Sequence, residues 1–447
     1  MRFPRLLLAL PLVALPLAHA SDAAACGACV ISEGESTVVT GHRMILSTSQ
    51  QGTTLWDQIS YSGDPSSFAW VLPIKGTVDV GLSSDALFQV LEGNTQVYIS
   101  SPIINCPPPP NCDGAVGAPT SDSGGGGEES PVEVLAQETV GPYETVQLAS
   151  SDPNALNEWL GSHGYVIPPD LAPVIGSYVA EGFNFLALKL VPGQGVDSMR
   201  PVRVTTLGAS ATLPLRMVAG GTGAITPITL WVLGEGRYEP TNFPSFQIER
   251  EALVWDWDNS RSNYTELKTA GFEATNGFGW LMEAGEQTSL YSIEYPLMDL
   301  VNYDVASSGY GDPVSGEGAT EELQADLERL YGGIPESTLW VSRMSAELSR
   351  AALTDDLDLG VSADQSYVNR YLEAQTAVGT APECPPVQQC DPWQFPGSGD
   401  GIDPPRNPDV WGGSGTCAMS PGAGGSAALG GLAVAAALAL TRRRRRG

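Results

Sequence analysis

Cysteine is the residue whose spacing here most invites chemistry, and there are seven. Cys26-Gly-Ala-Cys29 is a C-x2-C pair. Cys106 and Cys112 bracket Pro107-Pro108-Pro109-Pro110-Asn111, Cys384 and Cys390 bracket Pro385-Pro386-Val387-Gln388-Gln389, and Cys417 is left over. A C-x2-C pair is redox-active when it opens a helix after a strand, because the helix N-terminus stabilises the thiolate. Cys26 and Cys29 follow nothing that could supply that setting, so a structural disulfide or paired tether is the reading. Six cysteines in an exported chain default to disulfides, with fifteen possible connectivities. Local pairing inside each C-x5-C loop is the expectation, since proline stiffens both loops. Each such bond would contribute on the order of 2 kcal/mol.

Histidine offers less. A Ser-His-Asp hydrolase needs one, and beyond His19 there are only His42, beside a predicted strand, and His163, at a helix end in Gly161-Ser-His-Gly164. No G-x-S-x-G accompanies them. Zinc held by histidines is not supported either.

Acids are abundant, at 51. Asp256-Trp-Asp258-Asn259 and Asp355-Asp356-Leu-Asp358-Leu-Gly360 look like fragments of calcium loops. An EF-hand needs oxygen ligands at positions 1, 3 and 5 and a glutamate at 12. Counted from Asp356, position 5 is Gly360, so the pattern fails. Asp256, Asp258, Asp356 and Asp358 stay as candidates for a looser metal site. Paired carboxylates for glycoside cleavage remain open. Trp255, Trp257, Trp280 and Trp340 could line a sugar groove, although core packing is the commoner fate of tryptophan. No catalytic constellation and no cofactor pattern emerges.

The two ends carry addresses. Arg2 and Arg5 precede the apolar Leu6 to Leu17, and Ala18-His19-Ala20 follows, which is the form of a secretory signal peptide over 1–20. A lipoprotein reading would start the chain at Cys26, but Ala23 stands where a bulky aliphatic is usual. At the other end, 381–416 is rich in Pro, Gly, Ser and Asp and reads as a disordered linker spanning about 30 Å. Cys417, an apolar run from Ser426 to Leu440 and Arg442 to Arg446 then form a short membrane helix with a cytoplasmic arginine cluster. The net charge is −29, and the body between the arginine-bearing ends is more acidic still. Such a surface repels nucleic acid and anionic lipid.

Val38 to Leu46, Thr53 to Ser60 and Phe68 to Ile74 read as strands. Ser84 caps a helix through Leu91, ended by Gly93. Val97 to Ile104 reads as a strand, and Val132 to Leu148 as a hairpin turning at Gly141-Pro142. Helices follow at Pro153 to Leu160 and Asp170 to Val179, then a strand at Phe183 to Val191. Val202 to Leu207, Ala211 to Val218, Thr226 to Leu233 and Phe246 to Trp255 suggest an antiparallel meander. Helices at Asn263 to Ala270 and Thr320 to Leu330, a strand at Thr338 to Met344 and a helix at Ser345 to Leu353 complete the pattern. The fold class is α+β: one domain over 21–380, mainly antiparallel sheet with flanking helices and a Pro/Gly-rich insertion at 106–131, then the linker and the membrane helix.

Three segments carry a resemblance. Trp56-Asp-Gln-Ile-Ser-Tyr-Ser-Gly-Asp-Pro-Ser-Ser-Phe-Ala-Trp-Val-Leu-Pro73 is the clearest. The second is Val140-Gly-Pro-Tyr143 with Leu156-Asn-Glu-Trp-Leu160 and Gly164-Tyr165. Trp340-Val-Ser-Arg-Met344 through Asp356-Leu-Asp-Leu359 is a looser third. Together they resemble the bacterial exported domain-of-unknown-function family numbered 2330, over Cys26 to Gln375. That resemblance implies one domain bridging the proline loop, and no activity. The glycine-rich lead, Cys417, short helix and terminal arginines resemble the MYXO-CTERM sorting signal of myxobacterial surface proteins. This implies a membrane-embedded sorting protease acting near Cys417, a lipid on Cys417 and delivery to the outer membrane or cell surface. The expected function is a non-enzymatic interaction or structural module, with an exported carboxylate hydrolase or a calcium-stabilised adhesive domain as alternatives.

Overall fold

The computed structural model describes residues 29–30, 38–62, 69–106, 138–163, 171–194, 198–219, 224–312 and 314–384. These belong to one compact unit, made of 1–108 and 115–387. The expected signal peptide, the linker beyond 384, the C-terminal segment, and Cys26, Cys112, Cys390 and Cys417 lie outside the described residues.

The chain opens with β1 (Cys29–Val30), β2 (Val38–Thr48), β3 (Gly52–Ser62), β4 (Ala69–Ile74), β5 (Asp79–Leu82), α1 (Asp85–Thr95) and β6 (Tyr98–Ser100). It continues through β7 (Glu138–Val140), β8 (Tyr143–Leu148), α2 (Pro153–Ser162), α3 (Ala172–Ala180), β9 (Asn184–Leu190), β10 (Val202–Leu207), β11 (Thr212–Leu213), α4 (Leu215–Val218), β12 (Ile225–Glu235), β13 (Tyr238–Pro240) and β14 (Ser245–Phe246). Then come β15 (Val254–Asp256), β16 (Arg261–Ser262), α5 (Tyr264–Ala274), β17 (Trp280–Gln287), α6 (Leu290–Tyr303), α7 (Val305–Ser308), α8 (Ala319–Tyr331), β18 (Leu339–Ser349), β19 (Leu357–Val361), β20 (Tyr371–Glu373) and β21 (Thr376–Val378).

The architecture is mixed α+β with several sheets. An eight-stranded sheet has the order β14-β17-β18-β12-β2-β3-β10-β5, and a five-stranded sheet the order β1-β4-β9-β8-β7. Most pairings are antiparallel. The centre of the large sheet is an exception: β12 runs parallel to β2, with Ile228 opposite His42 and Leu233 opposite Ser47.

Period-two alternation sorts the side chains into layers. Ile45, Trp56, Trp231 and Val341 face one way and are covered by Leu87, Leu91, Ile293, Leu297, Leu323 and Leu327 of α1, α6 and α8. On the other face, Val202 and Val204 meet Trp70, Leu72, Leu186 and Leu188 of the five-stranded sheet. Further along that face Met44, Leu230 and Met344 are capped by Leu213, Leu215, Leu357 and Leu359. The five-stranded sheet buries Val71, Phe185 and Ala187 under α2 and α3. Helices, sheet, sheet and helices therefore stack in order over half of the body. Each large apolar side chain so buried contributes roughly 1.5–3 kcal/mol.

Local signals work where they are strong. Ser84 caps α1 and accepts from Ala86 N at 3.0 Å. Asp152 caps α2 ahead of Pro153 and accepts from Asn154 N at 2.8 Å. The hairpin turns at Gly141, whose φ is +55°.

The meander is corrected. β10 pairs with β3 and β5, while β12 pairs with β18 and β2. Ala211 to Val218 is not one strand: Pro214 has no N–H for a ladder, so β11 stops and α4 begins. Phe246 to Trp255 breaks at a 3-10 turn over Arg250–Ala252, where Glu249, Arg250 and Glu251 stay exposed. Ser345 to Leu353 is not helical. β18 runs on to Ser349 because β12 and β17 hydrogen-bond it from both sides.

Candidate functional site

β6 and β20 run parallel, with Tyr98 opposite Tyr371 and Ser100 opposite Glu373. Both strands therefore leave in one direction and bring Cys106 and Cys384 together. These two are bonded, with Cα atoms 5.5 Å apart across 278 residues of sequence. The expected pairing of Cys106 with Cys112 and of Cys384 with Cys390 is thereby corrected. Spacing measures only sequence, whereas the partner is set by which strands lie side by side. A cross-link of this span restricts the unfolded chain by on the order of 5 kcal/mol. Cys29 lies in β1, where it pairs with Trp70 of β4.

Polar side chains converge at buried points. On α8, Leu323, Leu327 and Leu330 face the large sheet, and Asp326 shares that face with no exposure. Its Oδ1 accepts from Trp56 Nε1 at 2.8 Å and Arg203 Nη1 at 2.7 Å. Its Oδ2 accepts from Ser83 Oγ and from Tyr310 OH at 2.9 Å. Burial pushes the Asp326 carboxyl above its ordinary range, against the Arg203 charge and these donors.

Glu283 sits at a bulge in β17, where the register against β18 shifts between Met282 and Ala284. The extra residue turns its side chain toward Arg343 Nε at 2.8 Å, Ser345 Oγ at 3.0 Å and Lys268 Nζ at 3.1 Å. Burial opposes its ionisation, but Arg343 and Lys268 hold the carboxyl below its ordinary value. Burial likewise pushes the Tyr143 hydroxyl up to about 12.

His42 Nδ1 and Asp57 Oδ1 are 3.5 Å apart between the sheets, both buried. Small cavities flank the pair, lined among others by Trp70, Tyr143, Arg200, Leu213 and Met217. Among the described residues no serine, threonine or cysteine lines either one.

The sequence candidates do not converge. Asp356 accepts from Tyr178 OH at 2.5 Å, Arg216 N at 3.1 Å and Arg216 Nη2 at 2.7 Å. Asp358 Oδ1 accepts from Thr212 Oγ1 at 2.8 Å. Asp256 Oδ1 accepts from the backbone N–H of Asp258 and Asn259 at 3.0 and 3.2 Å, and Asp258 Oδ1 from Thr380 N at 3.0 Å. Among the described residues no group of three His, Cys, Asp or Glu is placed to hold a metal. Trp280 and Trp340 are buried. Trp255 packs edge-on to Trp257 at 6.1 Å. His163 ends α2 with its ring stacked on Trp159 at 3.8 Å, a helix C-terminal role.

Sequence reasoning gave no site role to Asp326, Glu283, Arg203 or Arg343. The signal was there: Asp326 interrupts an apolar stripe at helical spacing, and Glu283 interrupts the run Trp280-Leu-Met-Glu-Ala284. A charge at a core position is a partner waiting to be named.

The family described as uncharacterised protein conserved in bacteria (DUF2330) matches residues 20–306. The chain belongs to this family. The DUF2330 match takes in β1 to α6 and stops inside α7, so the third resemblance segment, Trp340 to Leu359, lies beyond it. β18, which completes the centre of the large sheet, also lies outside the matched span. No curated protein and no solved structure matches the chain significantly. The description of DUF2330 names no activity. Among the described residues no helix is long and apolar enough to cross a membrane.

Proposed function

We propose that this chain is an exported protein held at the outer membrane or cell surface, and that its body is a binding or structural module without catalysis. The observation that carries the reading is the Cys106–Cys384 bond. Disulfides persist in oxidising compartments and are rare in the cytosol. This one joins the segments that follow β6 and β20, just before the Pro/Gly/Ser/Asp segment that leads to Cys417. Residues 1–20 have the form of a signal peptide, and 417–447 the form of a MYXO-CTERM signal, with Cys417 as the processing and lipid-bearing residue. The polar centres support the non-enzymatic part: Asp326 and Glu283 have their oxygens taken by fixed donors.

Thiol labelling of intact cells tests it. A membrane-impermeant maleimide should label Cys106 and Cys384 only after reductant, and non-reducing peptide mapping should recover the two as one linked species. Free thiols at both positions in a cytosolic fraction would overturn the proposal. Cys417→Ala should leave the anchor unprocessed or release protein to the medium. Unchanged fractionation removes the lipid from the account.

A further inference from the structure

A groove of about 240 Å³ opens where the C-terminal end of α1, the end of β17 and the start of α6 meet Arg370. Its hydrogen-bonding groups come from Asn94, Glu286, Gln287, Ser289, Ser292 and Arg370. The fold fixes several of them. Asn94 Nδ2 donates to Ser292 O at 2.8 Å, so α1 and α6 are joined across the groove. Arg370 Nε donates to Glu286 Oε1 at 3.1 Å. That pair leaves the groove polar but close to neutral.

An aromatic shelf adjoins it. The Arg370 guanidinium also lies over the Tyr371 ring, at 4.1 Å from its centroid. Tyr371 stands beside Tyr98, with ring centroids 6.3 Å apart and a tilt of 36°. Both rings are open to solvent, Tyr98 at 60% and Tyr371 at 58%. The helix that carries Ser292 exposes Tyr291 at 73% and Tyr295 at 61%. Buried positions on this helix are Ile293 and Leu297, so these tyrosines are turned away from the core by helical spacing. Exposed, nearly rigid rings beside a dense set of donors and acceptors are the marks of a recognition surface.

Sugar rings fit both halves. Their C–H faces lie flat on tyrosine, and their hydroxyls both donate and accept, as the amide, carboxylate, guanidinium and hydroxyl groups here require. The net charge of −29 disfavours an acidic glycan. We propose that the groove binds a neutral oligosaccharide, one ring seated among Asn94, Gln287 and Arg370 and its neighbour resting on Tyr98 and Tyr371. The proposal rests on reading the body as a binding module and names its ligand class. No bond is made or broken.

The purified full chain is titrated by calorimetry with cellohexaose, chitohexaose and maltohexaose, with a hexagalacturonate as the acidic comparison. At least one neutral hexasaccharide should bind below about 1 mM, and more tightly than the acidic one. Tyr371→Ala and Gln287→Ala should each weaken that binding about tenfold or more. Tyr371→Phe, which keeps the ring, should hold affinity within about threefold. If a Tyr371 variant fails to fold, Tyr98→Ala, the other ring of the shelf, gives the same comparison. Absence of binding to all three neutral sugars overturns the proposal. So does a preference for the acidic sugar, or binding indifferent to Tyr371, Tyr98 and Gln287. Thiol labelling of Cys106 and Cys384 is untouched by these outcomes, so a chain that is exported yet binds no glycan loses this proposal and keeps the other.

Discussion

Arg203 Nη1 lies 2.7 Å from Asp326 Oδ1, with the two side chains 9% and 0% exposed. This contact pins α8 to β10, near the edge of the large sheet, across 123 residues of sequence. A buried pair of this kind is costly to break from one side, because the partner is left as an unmatched charge. Asp326→Ala should therefore lower stability by about 3–5 kcal/mol in urea unfolding. Replacing both members, with Asp326→Leu and Arg203→Met, should recover much of that loss. A single-variant loss under about 1 kcal/mol would mean the pair does not hold α8.

Acid should separate the two buried carboxylates. Glu283 has a depressed folded value, so its stabilising part is present above the unfolded carboxylate value of about 4.3 and is lost as pH falls through the folded one. Glu283→Gln should flatten the fall in stability below about pH 4.3. Asp326 runs the other way. Its folded value is raised, so this site gains stability as pH drops through it. Asp326→Asn should steepen the acid loss. Stability measured from pH 3 to pH 7 in both variants checks the signs.

The disulfide is tested by its non-additivity. Cys384→Ala should destabilise by up to about 5 kcal/mol under oxidising conditions. Cys106→Ala should do the same, and the double variant no more than either. Under reductant all three should approach the wild type. Additive losses would point to packing rather than the bond.

Gly141 and Gly182 separate two kinds of strain. Both have positive φ, +55° and +81°. A Cβ at Gly141 would also run into Leu82 Cδ1, whereas at Gly182 nothing lies within 4 Å. Gly182→Ala should cost about 1 kcal/mol and Gly141→Ala clearly more, by thermal melts. Equal costs would remove the steric account of the hairpin.

Asp356 and Asp256 differ in what they hold. Asp356 joins Tyr178, Arg216 and so α3, α4 and the start of β19. Asp356→Asn should cost about 1–3 kcal/mol, since two charged hydrogen bonds weaken. Asp256→Asn, at the half-exposed end of β15, should leave the melting temperature nearly unchanged. Added calcium should shift neither the wild type nor Asp256→Asn. A rise in melting temperature with calcium that Asp256→Asn abolishes would restore the metal reading.

Much of the fold was legible where the signal is local. Ser84, Asp152-Pro153 and Gly141-Pro142 place a cap, a helix start and a turn almost to the residue. α1 runs past Gly93 to Thr95, whose hydroxyl accepts from Trp231 Nε1 at 2.8 Å, a tertiary contact that periodicity cannot see. α6 went unread, since Pro296 sits inside it. β17 went unread because it is buried on both faces and carries Glu283 and Gly285, which interrupt any strand pattern. The same holds for the chemistry. Ion-pair partners and the cysteine partner come from elements far apart in sequence, so composition could name the groups but not their meetings.

The parallel seam between β2 and β12 has a consequence for how the body is made. β2 leaves the ribosome early, yet the middle of its sheet waits for β12, and β12 waits for β18 at Leu339–Ser349. Sheets closed by such distant partners form slowly. The centre of the large sheet therefore cannot close until the chain has been made through Ser349.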